Sequence, residues 1–434
     1  MNRQYVSLKS LVITLIVTCL SLASLISATI AAQPETIEIY GNWPASGPDK
    51  AAYDTLQTYL RMYEEKNPHV RFEDLGREHS SSKVLNLLIT GTAPGLIALG
   101  NTHVLRFAAD GLLSEVPEHF AALMHENLFP AAVEGSTLFG KVVSVPTLNN
   151  ISTLYYNRRV LAESGLSPVP PTTLSELEEA GIKTTRRAAD GSVERIGLQL
   201  STNWHESRFL QLLFWNHGAE FVDADGKLTV DTQPVRQMID RLLEWNRTFL
   251  GRLSSSIFAS GNAAFSHAAS GFMESYRQRY PLDFYEDIGA GPTPAGPAGR
   301  VEYQFSNGYA VPRGPHEEEV WKFLEWLYFS NDGPGGMTPQ GHIFLVRGVP
   351  PLHRGDVGAM LSSDPDLAPY YSAFVNNISV ARNSDSYFVE NGIDEGALHD
   401  LARNVYGGMA PEQAIEAMAA NLRSFMAENS IRRR

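Results

Sequence analysis

The sequence predicts an α/β chain folded as two lobes, and three observations carry that expectation. Its 434 residues exceed the roughly 100 to 200 residues of an ordinary domain. Hydrophobic residues make up 43% and charged residues 19%, a balance that supports a sizeable core and argues against broad disorder. Strand-like and helix-like patterns alternate along the chain with no internal repeat, which predicts parallel sheets covered by helices.

The first 32 residues read apart from the rest. Arg3 and Lys9 precede an apolar run over residues 11–26, and Ala28 to Ala32 supply small residues before Gln33-Pro34. That is the three-part plan of a secretory signal cleaved after about Ala32. The run is also long enough to stay as a membrane anchor if it is not removed, since a span takes about 20 residues. The only cysteine, Cys19, lies inside it, so the mature body is expected to hold no disulfide, no cysteine zinc site and no thiol nucleophile.

Thr36 to Tyr40 alternates like a half-buried strand, and Tyr53, Leu56, Leu60 and Tyr63 then fall on one helical face. Asn67-Pro68 stops that helix, His69 to Glu73 reads as a second strand, and Ser80 to Leu88 as a helix with serines to cap it. The alternation continues through Leu96 to Leu99 and Val104 to Leu113. A Pro-rich stretch, Pro168 to Thr173, leads into a helical segment, Leu174 to Ala180. Asp223-Ala-Asp-Gly226 lacks the later acids of a calcium loop and reads as a turn. Residues 289–300, rich in Gly, Pro and Ala, read as a surface loop or the approach to a crossover, residues 332–341 as a loop, and Glu317 to Phe329 between them as an amphipathic helix. A helix over residues 411–427 closes the chain.

The chemistry of the chain is easier to bound than to name. Arg3 and Lys9 are the only charges among residues 1–32, which leaves 33 basic against 48 acidic groups on the body; a generic polyanion or nucleic-acid binder is not expected. A Walker phosphate loop, a GxSxG elbow, an HExxH pair and a strand-linked GxGxxG turn are all absent from the sequence, so enzyme motifs, metal and cofactor find no local support. Polar and aromatic residues do cluster just after predicted strands, where open α/β sheets place ligands. Asn42-Trp43 follows the first strand, Asn101-Thr102-His103 follows Leu96 to Leu99, and Asn149-Asn150 follows Val142 to Pro146. Sugars present apolar C–H faces ringed by hydroxyls, so aromatic faces edged by amides and charged groups suit them. Trp245, Trp321 and Trp326 sit inside helical patterns and read as core, whereas Trp43 and Trp204 stand beside Gly, Pro or Asn and suit either role.

Several segments together resemble one family. Glu64-Glu-Lys-Asn-Pro-His-Val70, Ile89-Thr-Gly-Thr-Ala-Pro94, Ala108-Ala-Asp-Gly-Leu-Leu113, Gly140-Lys-Val-Val-Ser-Val-Pro146 with Leu154-Tyr-Tyr-Asn157, Phe258-Ala-Ser-Gly-Asn-Ala-Ala-Phe265 and Gly408-Met-Ala-Pro-Glu-Gln-Ala414 are similar, in order and spacing, to motifs of the family 1 extracellular solute-binding proteins of ABC importers, the group that includes maltose-binding protein. Gly95, Thr173 and Phe272 depart from it where the family usually has Asp, Trp and a stacking Trp, and Asn150 stands where maltose-type members are often acidic.

The resemblance implies a type II periplasmic-binding-protein fold, with a hinge of about three crossovers and ligand in the cleft between lobes. Its implied boundaries are residues 33–148 plus 308–346 for one lobe and 149–307 plus 347–434 for the other. It implies a periplasmic monomer without catalysis or cofactor, which captures an oligosaccharide or polyol and delivers it to a membrane permease. Mapped residue by residue, the ligand side is Asn42, Trp43, His79, Asn101, Thr102, His103 and Asn150, then Trp204 and Phe272 from the second lobe, and Ser306, Asn307 and Arg347 at the later crossovers. A phosphorylated polyol held by Arg347, Arg382 and the helix start at Ser80 to Ser82 is a second reading. A secreted carbohydrate-active enzyme and a ligand-reporting sensor are the others.

Overall fold

The structure, a computed structural model, describes residues 34–41, 43–147, 150–200, 204–221, 227–230, 232–252, 256–280, 283–305, 307–383 and 397–428. The expected signal over residues 1–32, and the turn at Asp223 to Gly226, lie outside the described residues. No helix among those described is long and apolar enough to cross a membrane.

Two separate sheets organise two lobes. The first has the spatial order Val70–Asp74, Glu35–Tyr40, Leu96–Gly100, Asn307–Ala310, Val145–Pro146. Its three leading strands are parallel, as the strand–helix alternation predicts, with Ile39 opposite Leu96. The strand Asn307–Ala310 runs antiparallel to both neighbours because it enters from the other lobe. Alternation along these strands feeds two cores. Ile37, Ile39, Leu96 and Ala98 pack under the helices Lys50–Lys66 and Glu317–Phe329, while Tyr40, Ile97 and Leu99 pack under Ser81–Thr90 and Asn101–Ala109. Period-two burial with a helix layer on each face is what an open α/β sheet requires.

The second sheet has the order Leu250–Arg252, Val193–Leu200, Ala263–Ala269, Asn150–Asn157, Glu302–Phe305, Ala381–Asn383, with Ile288–Gly291 also pairing Asn150–Asn157. It too is mixed in direction and lies between two cores, one built on Phe209, Phe214, Trp215 and Trp245, the other on Tyr155, Tyr276, Phe258 and Tyr371. Thr173 caps the helix Leu174–Thr184 in a capping box with Glu176, and Ser80 accepts from Lys83 N to cap the helix Ser81–Thr90.

The lobes exchange chain between Pro146 and Asn150 and again between Phe305 and Asn307. A third passage follows Leu352, which, like Val349, still packs in the first lobe's core, whereas Met360 packs in the second. It therefore falls beyond Val346.

The structure narrows two loop expectations. Ile288–Gly291 is a strand, antiparallel to Asn150–Asn157. A Cβ at Gly289 would lie 2.2 Å from the Tyr156 ring, so glycine here allows a strand to pass under an aromatic face instead of marking a loop. The loop after Asp332 ends early as well, because Thr338 caps a helix that runs over Pro339–Arg347. Proline at its first position suits a helix start.

Candidate functional site

The lobes face each other across a cavity of about 530 Å³, within the usual range for small-molecule sites. The strand ends of the first sheet open onto it, as expected for an α/β sheet. From the first strand's exit comes Trp43, from the second Arg77, Glu78 and His79, and from the third Gly100, Thr102 and His103. Asp49 sits just before the helix Lys50–Lys66. Facing them are Asn150, Arg208, Gly271, Phe272, Ser275 and Phe305 of the second lobe, with Asn307 and Arg347 near the passages between lobes.

Eight of the residues singled out by sequence therefore line the cavity: Trp43, His79, Thr102, His103, Asn150, Phe272, Asn307 and Arg347. Asn42 and Ser306 lie outside the described residues. Trp204 opens the helix Trp204–Asn216, and its side chain lies outside the described residues.

Two assignments change. Asn101 does not line the cavity. It is buried, with its side chain donating to Gly135 O and accepting from Ser144 Oγ at 3.1 Å, so its amide is used to tie the start of its helix to the segments beside it. Trp43 is 3% exposed and packs edge-on to Phe344, ring centroids 6.4 Å apart, inside the first lobe's core. Only part of its surface reaches the cavity, so it is a wall and not a free stacking platform.

Side-chain partners set the chemistry of the walls. Asn150 Oδ1 accepts from Gly271 N at 3.1 Å, and Arg347 Nη1 donates to Gly271 O at 3.2 Å, so a residue of each lobe's boundary grips the same turn. Arg347 also forms an ion pair with Asp49. Glu78 is paired with Lys83 at 2.6 Å and accepts from His79 N and Ser80 N; the Lys83 bond leads in holding its carboxyl below the usual range. The cleft walls push the Arg77 guanidinium's pKa down, Arg347 adds to this, and Asp49 opposes it. Arg208 lies 4.1 Å from the centroid of the Phe305 ring, a cation–π contact that presents its guanidinium with its apolar face covered.

A small side pocket beneath Asn150, Arg208 and Phe305 is lined by Ser152, Tyr303 and His267. Burial pushes His267 down to about 3, so this imidazole is neutral. Among the described residues no group of three or more His, Cys, Asp or Glu is placed to hold a metal ion.

Sequence reasoning did not single out Asp49, Arg77, Glu78, Arg208 or Phe305. Arg77 and Glu78 follow the strand Val70–Asp74 and obey the same strand-exit rule as Asn101 to His103. Arg208 sits within a helix, where no local pattern marks a residue that turns toward a cleft.

Residues 45–330 match the model of the bacterial extracellular solute-binding protein. The chain belongs to this family. A probable ABC transporter-binding protein of Deinococcus radiodurans is 25% identical over 224 residues, 48% of this chain and 49% of the relative; the chain thus spans about half the length of that relative. Among solved structures, the sugar-binding protein MalE of Xanthomonas citri covers the fold with a TM-score of 0.74 at 18% identity, over 91% of this chain and 98% of that one. A cyclic α-maltosyl-1,6-maltose-binding protein of Arthrobacter globiformis gives 0.71 at 18%, over 90% and 98%. The maltose/maltodextrin-binding domain MalE of Bdellovibrio bacteriovorus, bound to maltotriose, gives 0.69 at 19%, over 91% and 100%. These likenesses show the two-lobed fold of extracellular solute-binding proteins, in which the cavity described above lies between the lobes.

Proposed function

We propose that this extracellular solute-binding protein is the capture subunit of an ABC importer, working in the periplasm as a monomer once its first 32 or so residues are removed. It takes an oligosaccharide or related polyol into the inter-lobe cleft, closes over it, and hands it unchanged to a membrane permease. The observation that carries this reading is the cavity itself, lined from both lobes by Trp43, Phe272 and Phe305 together with amides, histidines and arginines. Apolar rings among directional donors suit the two kinds of surface a sugar presents. Contact from both sides is also what ligand-driven closure needs, because a ligand shifts an open–closed equilibrium only by its differential affinity for the two states.

A thermal-shift screen of the mature chain against neutral and acidic oligosaccharides tests the reading. Ligand at 100 times its dissociation constant stabilises by about 2.7 kcal/mol, an easily read rise in melting temperature. Small-angle scattering with the best ligand is expected to show a smaller radius of gyration, and chromatography to return the ligand intact. Shorter sugars released from it would place the chain among enzymes, and no stabilisation by any saccharide would refute the carbohydrate reading.

A further inference from the structure

Resting on the reading of the cleft as a saccharide site, we propose that the saccharide it selects carries an anionic substituent, a carboxylate or a phosphate, seated against Arg77 and Arg347 on the first-lobe side. The chain as a whole is acidic, with a formal net charge of -13, yet the charged side chains lining the cavity are Arg77, Arg208 and Arg347 against Asp49 and Glu78.

The two carboxylates are already engaged. Glu78 is held by Lys83 at 2.6 Å and by two backbone N–H groups of the turn that follows it. Asp49 forms its ion pair with Arg347. Among the described residues Asp49 is also the carboxylate whose charge acts on Arg77, while the cleft walls desolvate it and Arg347 repels it. Asp49 is paired with Arg347, while Arg77 lines the same cavity and feels Asp49 only at longer range, which among the described residues leaves one positive charge for a bound group to match. Arg347 is held in position by Asp49 and by Gly271 O. Arg77 lies on the segment after Val70–Asp74 and lines the cavity from the first-lobe side.

Hydrogen-bond inventory points the same way. A guanidinium has five N–H donors and no acceptor, and planar carboxylate and phosphate groups accept from it in pairs. A neutral sugar brings hydroxyl donors that need acceptors, and the carboxylates that would supply them here are occupied by cations. An anionic substituent brings acceptors to a donor-rich wall. Local positive charge in a low-dielectric cleft also offsets the long-range repulsion that an acidic protein exerts on an anion.

The test is isothermal titration of the mature full chain with matched pairs: trigalacturonate against maltotriose for a carboxylate, and glucose 6-phosphate against glucose for a phosphate. At least one anionic member is expected to bind tenfold or more tightly than its neutral partner, with the gain shrinking as salt rises; which pair shows it identifies the source of the charge. Arg77→Gln is expected to narrow that ratio at least fivefold and Arg77→Lys to keep most of it, while ligand-free melting curves check that both variants fold. Neutral members binding as tightly as anionic ones would overturn the proposal and leave the saccharide reading standing. No binding by any member would overturn both. An anionic preference undiminished in Arg77→Gln would overturn the assignment to this arginine pair.

Discussion

Glu302 lies at the start of the strand Glu302–Phe305 that leads into a passage between the lobes, and its carboxyl is completely buried. Thr293 N donates to Oε1 at 2.6 Å and Thr293 Oγ1 to Oε2 at 2.8 Å, with Arg300 Nη1 3.8 Å away. Burial outweighs these contacts and pushes the carboxyl up from 4.5 to about 8. Between those values the folded protein keeps a proton that the unfolded chain gives up. Stability is therefore full below pH 4.5 and falls as pH rises toward 8. At about 1.4 kcal/mol per pH unit, the whole interval from 4.5 to about 8 amounts to on the order of 5 kcal/mol. Glu302→Gln keeps the shape and a neutral donor and acceptor for Thr293, so the variant is expected to match the parent near pH 5 and to exceed its stability by a few kcal/mol near pH 8. Urea unfolding of the two proteins at a series of pH values measures the difference, and groups that titrate alike in both cancel. Parallel pH curves would refute the reasoning, because they would mean that Glu302 ionises in the folded state as it does in the unfolded chain.

Three further outcomes are expected. Phe272→Ala removes an aromatic wall of the cleft and is expected to weaken the best saccharide found by about 1 kcal/mol in a titration, with little change in ligand-free melting. Asn101→Ala leaves Gly135 O and Ser144 Oγ without the buried amide; unfolding is expected to become easier by about 1 to 3 kcal/mol, while ligand affinity changes far less. Gly197→Ala puts a Cβ 2.3 Å from Gly181 O and 2.7 Å from Gly181 Cα. Backbone, unlike a side chain, cannot turn aside, so a loss of at least about 2 kcal/mol is expected in denaturant unfolding.

What the sequence determined by itself is the set of features that depend on neighbours along the chain. The strand at Thr36 to Tyr40, the helical face of Leu56, Leu60 and Tyr63, the cap at Ser80 and the helix Glu317–Phe329 follow from periodicity and capping within a few residues. The strand-exit rule reached Thr102 and His103 in the same way, because a strand's end fixes where the next side chains emerge. Tertiary structure alone decided what those side chains can do. Asn101 sits beside Thr102 yet spends its amide on Gly135 and Ser144, and Trp43 is buried in a core that Phe344, far along the chain, helps to build. Glycine suits the strand Ile288–Gly291 at both positions because the Tyr156 ring lies against Gly289 and Pro170 against Gly291. The charge of the cleft is the plainest case. Asp49 and Arg347 meet across the fold, and only their pairing, with that of Glu78 and Lys83, determines which charge is left for a ligand; electrostatic balance depends on distance in space, to which spacing along the chain is blind.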